Sequence, residues 1–578
     1  MLFGGCMLFP SLHAQTNQTT WKNPLECAYP VVKGRSWNAE NSGSYNRLPP
    51  RAKDSVRAGV WNQSTQSAGL AVSFYTNAPD ITVKYTVTGG LSMPHMPTTG
   101  VSGLDLYRTD CHGTQTWCSG NYHFGDTITY SYKNLNNPNI HSDGSEYTLF
   151  FPLYNSVSSL QIGVNSDQKF EFAAVSQEKP IVVYGTSIAQ GACASRPGMA
   201  WTNILSRQTG SPVVNLGFSG NGQLEESLFG FLAEIDAQMY IIDCMPNMTQ
   251  DRVSLIYDRL VSGVKTLRKS SDAPVLLTEH CGYMGDLSSD SRKKEYSEAN
   301  AELKRAYETL MKENVPGIFY MTKEEQGLSM DSQVDGVHAT DLGMQQYADG
   351  YFKKISVILD RPLFSQNILT PSKQRREPHL YDWNKRHEAI LARNREVQPE
   401  ILLIGNSITH FWGGEPVAPI QSGKKSWDKL FAKKKVTNMG CGWERIENVL
   451  WRVYHGELDG FEAKKIFLMI GTNNLGPNTN EEIVSGIREL SKQISIRQPG
   501  AEIYIVQIYP RRGQEDRVAQ LNTMIRKEIS SDGNMKVIEL SEDLTDSDGR
   551  IIETYFSDGL HPNDKGYEKI SQRLKPYL

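Results

Sequence analysis

The sequence predicts a multidomain chain in which an N-terminal β-sandwich is followed by two α/β domains. The first observation is the length of 578 residues, which at roughly 150 residues per domain suggests about four units. The second is a period of two between apolar and polar residues in the first part of the chain, the pattern of half-buried strands. The third is a repeated alternation of apolar runs with helical segments in the rest of the chain, which is typical of parallel strands covered by helices.

The β-sandwich is expected between residues 15 and 175. Clusters of Gly, Pro, Asn and Asp separate its alternating segments, and no helical period of useful length lies between them. Short antiparallel strands of this kind pack as two sheets. A Gly/Pro loop at residues 89–103 contains His95, which is either part of a plain connection or a residue that reaches a neighbouring active site. The alternating segments are residues 70–74, 81–87, 147–151 and 160–164.

The first α/β domain is expected at residues 176–362 and the second at residues 379–578, with a basic, Pro-containing linker at residues 363–378. Each domain contains five apolar runs in the same order, so the second is predicted to be a duplicate of the first. The runs are Ile181–Tyr184, Val213–Leu216, Met239–Asp243, Val275–Thr278 and Gly317–Met321, then Ile401–Ile404, Val436–Asn438, Ile466–Ile470, Ile503–Ile508 and Met535–Leu540.

The charge balance argues against a nucleic-acid partner, and the length of the apolar stretches argues against membrane insertion. Lys and Arg number 60 against 64 Asp and Glu, for a formal net charge of -4, and no long run of one sign occurs. A nucleic-acid partner is therefore not expected. No apolar stretch reaches the roughly 18 residues that a membrane-spanning helix needs, so no membrane insertion is expected either.

The first 14 residues, MLFGGCMLFPSLHA, are predicted to be a signal peptide cleaved near Ala14, which implies a secreted or periplasmic protein. A positive n-region is missing, and a buried N-terminal strand is the alternative. Cys6 is a weaker candidate for lipoprotein acylation because it lies very close to Met1. Cys111 and Cys118 bracket a polar turn and are a candidate disulfide in an oxidising compartment.

Each α/β domain opens with a strand that ends in Gly-x-Ser, with Ser187 in the first domain and Ser407 in the second. A serine at this point faces the crevice in which open α/β sheets bind ligands. It is also a good helix N-cap, so the motif alone leaves a nucleophile and a cap as equal alternatives.

A D-x-x-H motif stands near the end of each domain, with Asp335 and His338 in the first and Asp558 and His561 in the second. A serine nucleophile needs a base within hydrogen-bond reach, and the base needs a carboxylate that orients it. The serine-to-histidine separations, 151 and 154 residues, nearly agree. The repeated arrangement therefore predicts two Ser-His-Asp sites, with the Glu279-His280 pair as a less favoured source of the base in the first.

Oxyanion donors are expected between these motifs, after the second and third strands of each domain. Gly220 and Asn247 are the candidates in the first domain, and Gly442 and Asn473 are those in the second. Trp443 stands where the first domain has Gly220, so the identity of the donor there is left open. Trp412 and Trp443 are either sugar platforms or pocket walls. No metal-ligand cluster or phosphate loop appears, and no metal or cofactor is expected.

These four blocks, which occur twice in the order Ser, Gly, Asn and D-x-x-H, resemble those of the SGNH (GDSL-like) hydrolase family. The resemblance implies a flavodoxin-like three-layer fold for each α/β domain. It also implies that the two serines are nucleophiles, the two histidines bases and the two aspartates their orienting partners, with the Gly and Asn candidates forming oxyanion holes. The third block of the first domain departs from the family pattern, because it reads CMPN instead of G-x-N-D.

Two further resemblances concern the substrate. The second domain, with GWERIENVLWRVYHGELDG, is similar to the catalytic subunits of platelet-activating-factor acetylhydrolases and to related bacterial acetylesterases. A β-sandwich joined to an SGNH domain resembles several secreted carbohydrate acetylesterases. Together they imply an esterase with two active sites that deacetylates a poly- or oligosaccharide. A lipid or thioester hydrolase, or one catalytic domain beside a non-catalytic glycan-binding module, is the alternative.

Overall fold

The computed structural model describes residues 18–136, 144–361, 366–529 and 535–578. The predicted signal peptide and Cys6 lie outside these residues, so the expected secretion stays a prediction. Within the described ranges no helix has both the length and the apolar character required to cross a membrane.

The N-terminal region is rich in antiparallel strands, as predicted. They form two sheets, in the orders β1-β10-β4-β8-β7 and β11-β3-β9-β5-β6, with β2 paired to β3. Apolar side chains of both sheets, such as Val83 and Leu149, meet in one buried cluster. Cys111 and Cys118 are both buried and are not joined by a disulfide bond. The strands are β1 (Thr19–Lys22), β2 (Val32–Lys33), β3 (Ala71–Thr76), β4 (Ile81–Val87), β5 (Asp105–Thr109), β6 (Gln115–Cys118), β7 (Asn121–His123), β8 (Ile128–Tyr132), β9 (Ser145–Phe150), β10 (Val157–Asn165) and β11 (Phe170–Phe172).

Two short helices in this region, α1 (Ala58–Ser64) and α2 (Thr98–Val101), were not predicted from the sequence. Both are too short for a helical period to stand out. Val60 of α1 joins the core on one face of the first α/β sheet, and Val101 of α2 joins the core on the other face. The N-terminal region therefore packs against the first α/β domain on both sides of its sheet.

The first α/β domain is built on a parallel sheet in the order β13-β12-β14-β15-β16. Relative to the domain this is the order 2-1-3-4-5, the flavodoxin-like order. The strands are β12 (Ile181–Gly185), β13 (Val213–Gly217), β14 (Met239–Asp243), β15 (Val275–Thr278) and β16 (Ile318–Met321). The helices are α3 (Ser187–Gln190), α4 (Trp201–Thr209), α5 (Glu226–Leu232), α6 (Ile256–Arg268), α7 (Asp290–Lys312) and α8 (Asp341–Ile358).

Alternate residues of these strands enter two separate cores. Val182 and Ile242 belong to the cluster on one face of the sheet, and Val183 and Ile241 belong to the cluster on the other. Because each strand is buried on both faces, its apolar run is continuous, which confirms the reasoning that predicted an α/β domain here.

The second α/β domain repeats this arrangement with a parallel sheet in the order β18-β17-β19-β20-β21. Its two faces again have separate cores, with Ile404 in one and Leu403 in the other. The strands are β17 (Ile401–Gly405), β18 (Val436–Gly440), β19 (Lys465–Met469), β20 (Glu502–Val506) and β21 (Met535–Ile538). The helices, numbered after α9 of the connecting segment (Gln366–Leu369), are α10 (Trp383–Val397), α11 (Ser407–His410), α12 (Lys424–Phe431), α13 (Ile446–Val453), α14 (Asn480–Arg497), α15 (Glu515–Glu528) and α16 (Asp564–Leu574).

The segment predicted to be a linker is packed into the protein where the structure describes it. Lys373 is buried and its ammonium group lies over the rings of Tyr75, from the N-terminal region, and Trp451, from the second α/β domain. Arg376, also buried, donates hydrogen bonds to the Cys111 carbonyl (3.1 Å) and the Asn448 side chain (3.1 Å). Its basic, Pro-containing sequence without periodicity predicted a linker, and its basic residues contact both the N-terminal region and the second domain.

Candidate active sites

Ser187 lies immediately after β12, at the carboxyl edge of the first sheet, and is 5% exposed. The N-cap of α3 is Thr186, whose hydroxyl accepts a hydrogen bond from the Ile188 N–H at 3.3 Å. In the second domain Asn406 caps α11 in the same way, through the Ile408 N–H at 3.0 Å. The residue before each serine therefore serves as the cap, and the serine hydroxyl is not used for that purpose.

His338 lies between Ser187 and Asp335. Its Nε2 is 3.0 Å from Ser187 Oγ, and its Nδ1 is 2.7 Å from Asp335 Oδ2. The other carboxylate oxygen, Asp335 Oδ1, accepts the backbone N–H groups of Val337 (3.0 Å) and His338 (2.8 Å). Partial burial works to raise the pKa of Asp335, but the hydrogen bonds from His338 and Val337 outweigh it and hold that pKa below its usual value. The carboxylate is therefore ionised at neutral pH.

The second site has the same geometry. His561 Nε2 is 2.8 Å from Ser407 Oγ, and His561 Nδ1 is 2.7 Å from Asp558 Oδ2. Asp558 Oδ1 accepts the N–H groups of Leu560 (2.9 Å) and His561 (2.8 Å). Here too, burial works to raise the aspartate pKa and is outweighed by these hydrogen bonds, so the pKa is lowered.

The loop after β13 carries the candidate oxyanion donor of the first site. Gly220 has a φ of 67°, in the left-handed region. The preceding residue, Ser219, donates its backbone N–H to the side chain of Gln190 (3.0 Å), so that amide is already engaged. Asn247 accepts the Gly222 N–H on its Oδ1 at 3.1 Å, which leaves the NH₂ group of the side chain as its donor end.

In the second domain, the loop after β18 does not present Gly442 as the sequence predicted. Gly440 pairs with Gly405 as Gly217 pairs with Gly185, so the residue equivalent to Gly220 is Trp443. Trp443 has a φ of 65°, matching Gly220, even though a bulky residue rarely adopts this conformation. The Gly442 N–H, predicted as a donor, instead binds His410 Nδ1 at 3.1 Å. The backbone N–H in the position of the Gly220 amide is therefore that of Trp443.

Asn473 occupies the position of Asn247. Its Nδ2 donates one hydrogen bond to the Glu444 carbonyl at 2.9 Å, and an amide nitrogen has a second hydrogen to donate. His410 is fully buried, and desolvation together with nearby Arg386 and Arg452 lowers its pKa well below the usual value. It is therefore neutral and can accept the Gly442 N–H, the role that Gln190 plays in the first domain.

The N-terminal region supports the first site through residues that the sequence analysis did not single out. Arg47 is fully buried and donates to the carbonyl groups of Asn215 (3.1 Å) and Gly217 (2.7 Å), at the end of β13. Gln63 donates to the Ser219 carbonyl at 2.6 Å, and the Tyr154 hydroxyl donates to the Ser187 carbonyl at 3.3 Å. These contacts hold both the serine turn and the loop of the candidate oxyanion donor, and no local motif marks the residues that make them.

His95 reaches the first site, so the alternative of a plain connecting loop is wrong. Its ring centroid is 5.6 Å from that of His338, with the rings inclined by 32°. Cys193, in the turn that follows α3, lies beside both histidines.

The remaining candidates take no part in the hydrogen-bond chain of either serine. His280 is 2% exposed, and its Nδ1 accepts the Gly282 N–H at 2.9 Å. Desolvation lowers the pKa of His280 to about 3, so it is neutral and unsuited to act as a base at neutral pH. Glu279 binds the Tyr320 hydroxyl at 2.6 Å. Trp412 is buried against Tyr567, where it lines a small apolar cavity in the core, and is not a sugar platform.

A cavity of about 390 Å³ lies near the amino ends of the strands in the first sheet, lined by residues such as Pro180, Pro212 and Tyr107. Because Ser187 stands at the carboxyl edge of the same sheet, this cavity is separate from the site described above.

Three sequence-family comparisons agree with this architecture. Residues 178–356 and residues 403–569 each match a family described as GDSL-like lipase/acylhydrolase. Residues 19–170 match a family described as the N-terminus of SGNH-hydro-type esterases.

Individual proteins are also similar. A solved structure of a GDSL-like lipase from Bacteroides ovatus is 32% identical, covers 59% of this chain and 98% of its own, and has a TM-score of 0.55. Human platelet-activating factor acetylhydrolase IB subunit alpha2 is 28% identical over 196 residues, 33% of this chain and 81% of that protein. The human alpha1 subunit is 26% identical over 201 residues, 34% of this chain and 82% of that protein.

Proposed function

We propose that this chain, which belongs to the GDSL-like (SGNH) hydrolase family and is an ester hydrolase, removes O-acetyl groups from an acetylated poly- or oligosaccharide at two serine sites. The observation that carries the proposal is the repeated hydrogen-bond chain from serine through histidine to aspartate, with Nε2 to Oγ distances of 3.0 and 2.8 Å.

In this mechanism the serine Oγ attacks the acetyl carbonyl carbon while the histidine Nε2 takes the hydroxyl proton. The aspartate holds the imidazole with its proton on Nδ1 and stabilises the imidazolium that forms. The carbonyl oxygen becomes negative and receives hydrogen bonds from the oxyanion donors. Collapse of this intermediate breaks the ester C–O bond, and the histidine gives its proton to the departing sugar oxygen. Water then hydrolyses the acetyl-serine by the same steps, so that acetate is released.

In the oxyanion hole of the first site we assign the Gly220 N–H and the Asn247 NH₂ group. In that of the second site we assign the Trp443 N–H and the second hydrogen of Asn473 Nδ2. A Cβ atom at Gly220 would meet no other atom within 4 Å, whereas Trp443 carries an indole ring and is 43% exposed. The two sites therefore differ in the side chain next to the oxyanion hole.

Two observations support acetyl as the acyl group. The human relatives are acetylhydrolases by name, and Trp443, a bulky residue at the position of Gly220, would narrow the space for a longer acyl chain at the second site. Carbohydrate as the alcohol is supported by the resemblance of the domain arrangement to carbohydrate acetylesterases. For this arrangement we propose a β-sandwich domain at residues 15–175, hydrolase domains at residues 176–362 and 379–578, and a connecting segment at residues 363–378.

A lipid ester is the second candidate, because the named substrate of the human relatives is platelet-activating factor. It predicts hydrolysis of longer acyl chains or of a dispersed phospholipid. The alternative that one α/β domain is a non-catalytic binding module predicts that replacing only one of the two serines reduces esterase activity.

The test compares acetate release from acetylated xylan, mannan and pectin with hydrolysis of aryl acetate, butyrate and octanoate. It uses the wild type, Ser187→Ala, Ser407→Ala and the double variant. We expect the kcat/KM values of the two single variants on aryl acetate to add up to the wild-type value, and the double variant to lose at least about 10³-fold. A single variant as inactive as the double on every substrate would refute two working sites. Faster hydrolysis of the octanoate ester than of the acetate ester would instead favour a lipid ester as the substrate.

A further inference from the structure

Three metal-binding side chains meet at the first site. His95, Cys193 and His338 each offer one ligand atom, and these three atoms all lie within 4.8 Å of one another. They come from the Gly/Pro loop of the N-terminal region, the turn after α3 and the D-x-x-H turn. The esterase mechanism uses His338 but has no role for the other two.

Two imidazoles and a thiolate are preferred ligands of Zn²⁺, which is bound tetrahedrally with Zn–N distances of about 2.1 Å and Zn–S distances of about 2.3 Å. Ligand atoms around such an ion lie about 3.5 Å apart, so these three need to approach by roughly 1 Å. His95 is exposed and can supply this movement by rotation of its side chain. We propose that His95, Cys193 and His338 form an inhibitory Zn²⁺ site in the first active site, with water as the fourth ligand.

Zinc bound here blocks the hydrolase reaction, a consequence that rests on the proposed function of His338. Its Nδ1 is 2.7 Å from Asp335 and its Nε2 is 3.0 Å from Ser187. Coordination through Nε2 removes the lone pair that accepts the serine proton. Coordination through Nδ1 displaces the aspartate. Either ring nitrogen that binds the metal is therefore lost to catalysis.

The Cys193 thiol is neutral before the metal binds, since burial and the neighbouring Asp335 raise its pKa to about 12. Binding forms a Zn–S bond and releases the thiol proton to solvent, with no change in oxidation state. The backbone of Cys193 has a φ of 67°, which is uncommon for a residue other than glycine.

The second active site provides an internal control. Cys193 lies six residues after Ser187, and the residue six positions after Ser407 is Gly413. In the ranges that the structure describes, the cluster at His95 is the only group of three such side chains close enough to hold one ion. Zinc is therefore expected to inhibit the first site and to leave the second active.

The inhibition experiment uses aryl acetate, full-length protein freed of metal with a chelator, and a non-thiol reductant. Ser407→Ala reports the first site and Ser187→Ala reports the second. We expect Zn²⁺ to inhibit the Ser407→Ala protein, reversibly on adding EDTA, and Mg²⁺ to have no effect. In the Ser407→Ala background, His95→Ala and Cys193→Ser are each expected to raise the inhibitory Zn²⁺ concentration at least tenfold, relative to their own uninhibited rates. His123→Ala and Cys27→Ser, which alter residues outside the cluster, are expected to leave it unchanged.

Calorimetry provides a measurement that does not depend on activity. The Ser187→Ala/Ser407→Ala protein is expected to bind one Zn²⁺ per chain, and binding is expected to be lost on adding Cys193→Ser. If the first site proves inactive, the proposed function fails there while calorimetry still tests the metal site. Zinc inhibition that is equal at both sites, or unchanged by His95→Ala and Cys193→Ser, would overturn the proposal, as would the absence of binding.

Discussion

Replacing Asp335 by Asn tests whether this residue sets the tautomer of His338. One carboxylate oxygen accepts two backbone N–H groups, at 3.0 and 2.8 Å, and the other faces His338 Nδ1 at 2.7 Å. In an asparagine, the carbonyl oxygen has to take the first position, because an NH₂ group cannot accept hydrogen bonds. The NH₂ group then faces Nδ1, which must accept, so the ring proton moves to Nε2 and points at Ser187.

The size of the effect follows from the cost of turning the amide over. The opposite orientation would cost the hydrogen bonds of two backbone N–H groups, which lie in an exposed turn where water replaces the lost acceptor, at about 0.5 to 1.5 kcal/mol each. The productive tautomer therefore lies about 1 to 3 kcal/mol higher, which corresponds to a rate loss of roughly 5-fold to 150-fold. The loss of about 10⁴-fold seen in a serine protease concerns a buried triad aspartate, and a smaller loss is expected here because Asp335 is partly exposed.

The assay is kcat for aryl acetate in the Ser407→Ala background, so that only the first site contributes. Asp331→Asn, which alters an exposed carboxylate four residues upstream, is the matched control and is expected to keep full activity. Asp558→Asn in the Ser187→Ala background is expected to reproduce the loss at the second site. A loss of less than threefold in a folded Asp335→Asn protein would refute the reasoning about the tautomer.

Two further predictions concern neighbouring side chains. In the Ser407→Ala background, His338→Ala is expected to abolish kcat. His280→Ala is expected to alter stability or substrate binding instead, because His280 is neutral and accepts a hydrogen bond from Gly282. Equal losses of kcat in the two variants would mean that the base has to be reassigned. In the Ser187→Ala background, kcat/KM is expected to favour aryl acetate over butyrate by more than the 1 to 3 kcal/mol typical of one or two methylenes, because of the Trp443 ring. Trp443→Ala is expected to raise butyrate turnover, and no gain in a protein that keeps its acetate activity would exclude the ring as a steric barrier.

The amino-acid sequence was sufficient to predict the two α/β domains and their ten parallel strands. A strand buried on both faces must be apolar throughout, and this requirement leaves a visible run such as Ile181–Gly185. The Asp-His pairs were also predictable, because a D-x-x-H turn brings both side chains together within three residues. The duplication supported this prediction, because each block occurs twice at nearly the same separation.

Other features depended on contacts between distant segments. His95, Cys193 and His338 are far apart in the chain. The fold of the first α/β domain brings Cys193 to His338, and only the packing of the N-terminal region against that domain adds His95. The buried Arg47 and the buried segment around Arg376 were equally hidden, because a basic residue in sequence predicts solvent exposure unless its carbonyl partners are known.

The choice of oxyanion donor in the second domain is the sharpest example. The sequence offered Gly442 as a candidate donor and left its identity open, because Trp443 stands where the first domain has Gly220. In the folded chain the side chain of His410 takes the Gly442 amide, and Trp443 adopts the left-handed conformation instead. A residue's own identity determines which backbone angles are inexpensive, but the contacts around it in the folded chain determine which angles it adopts.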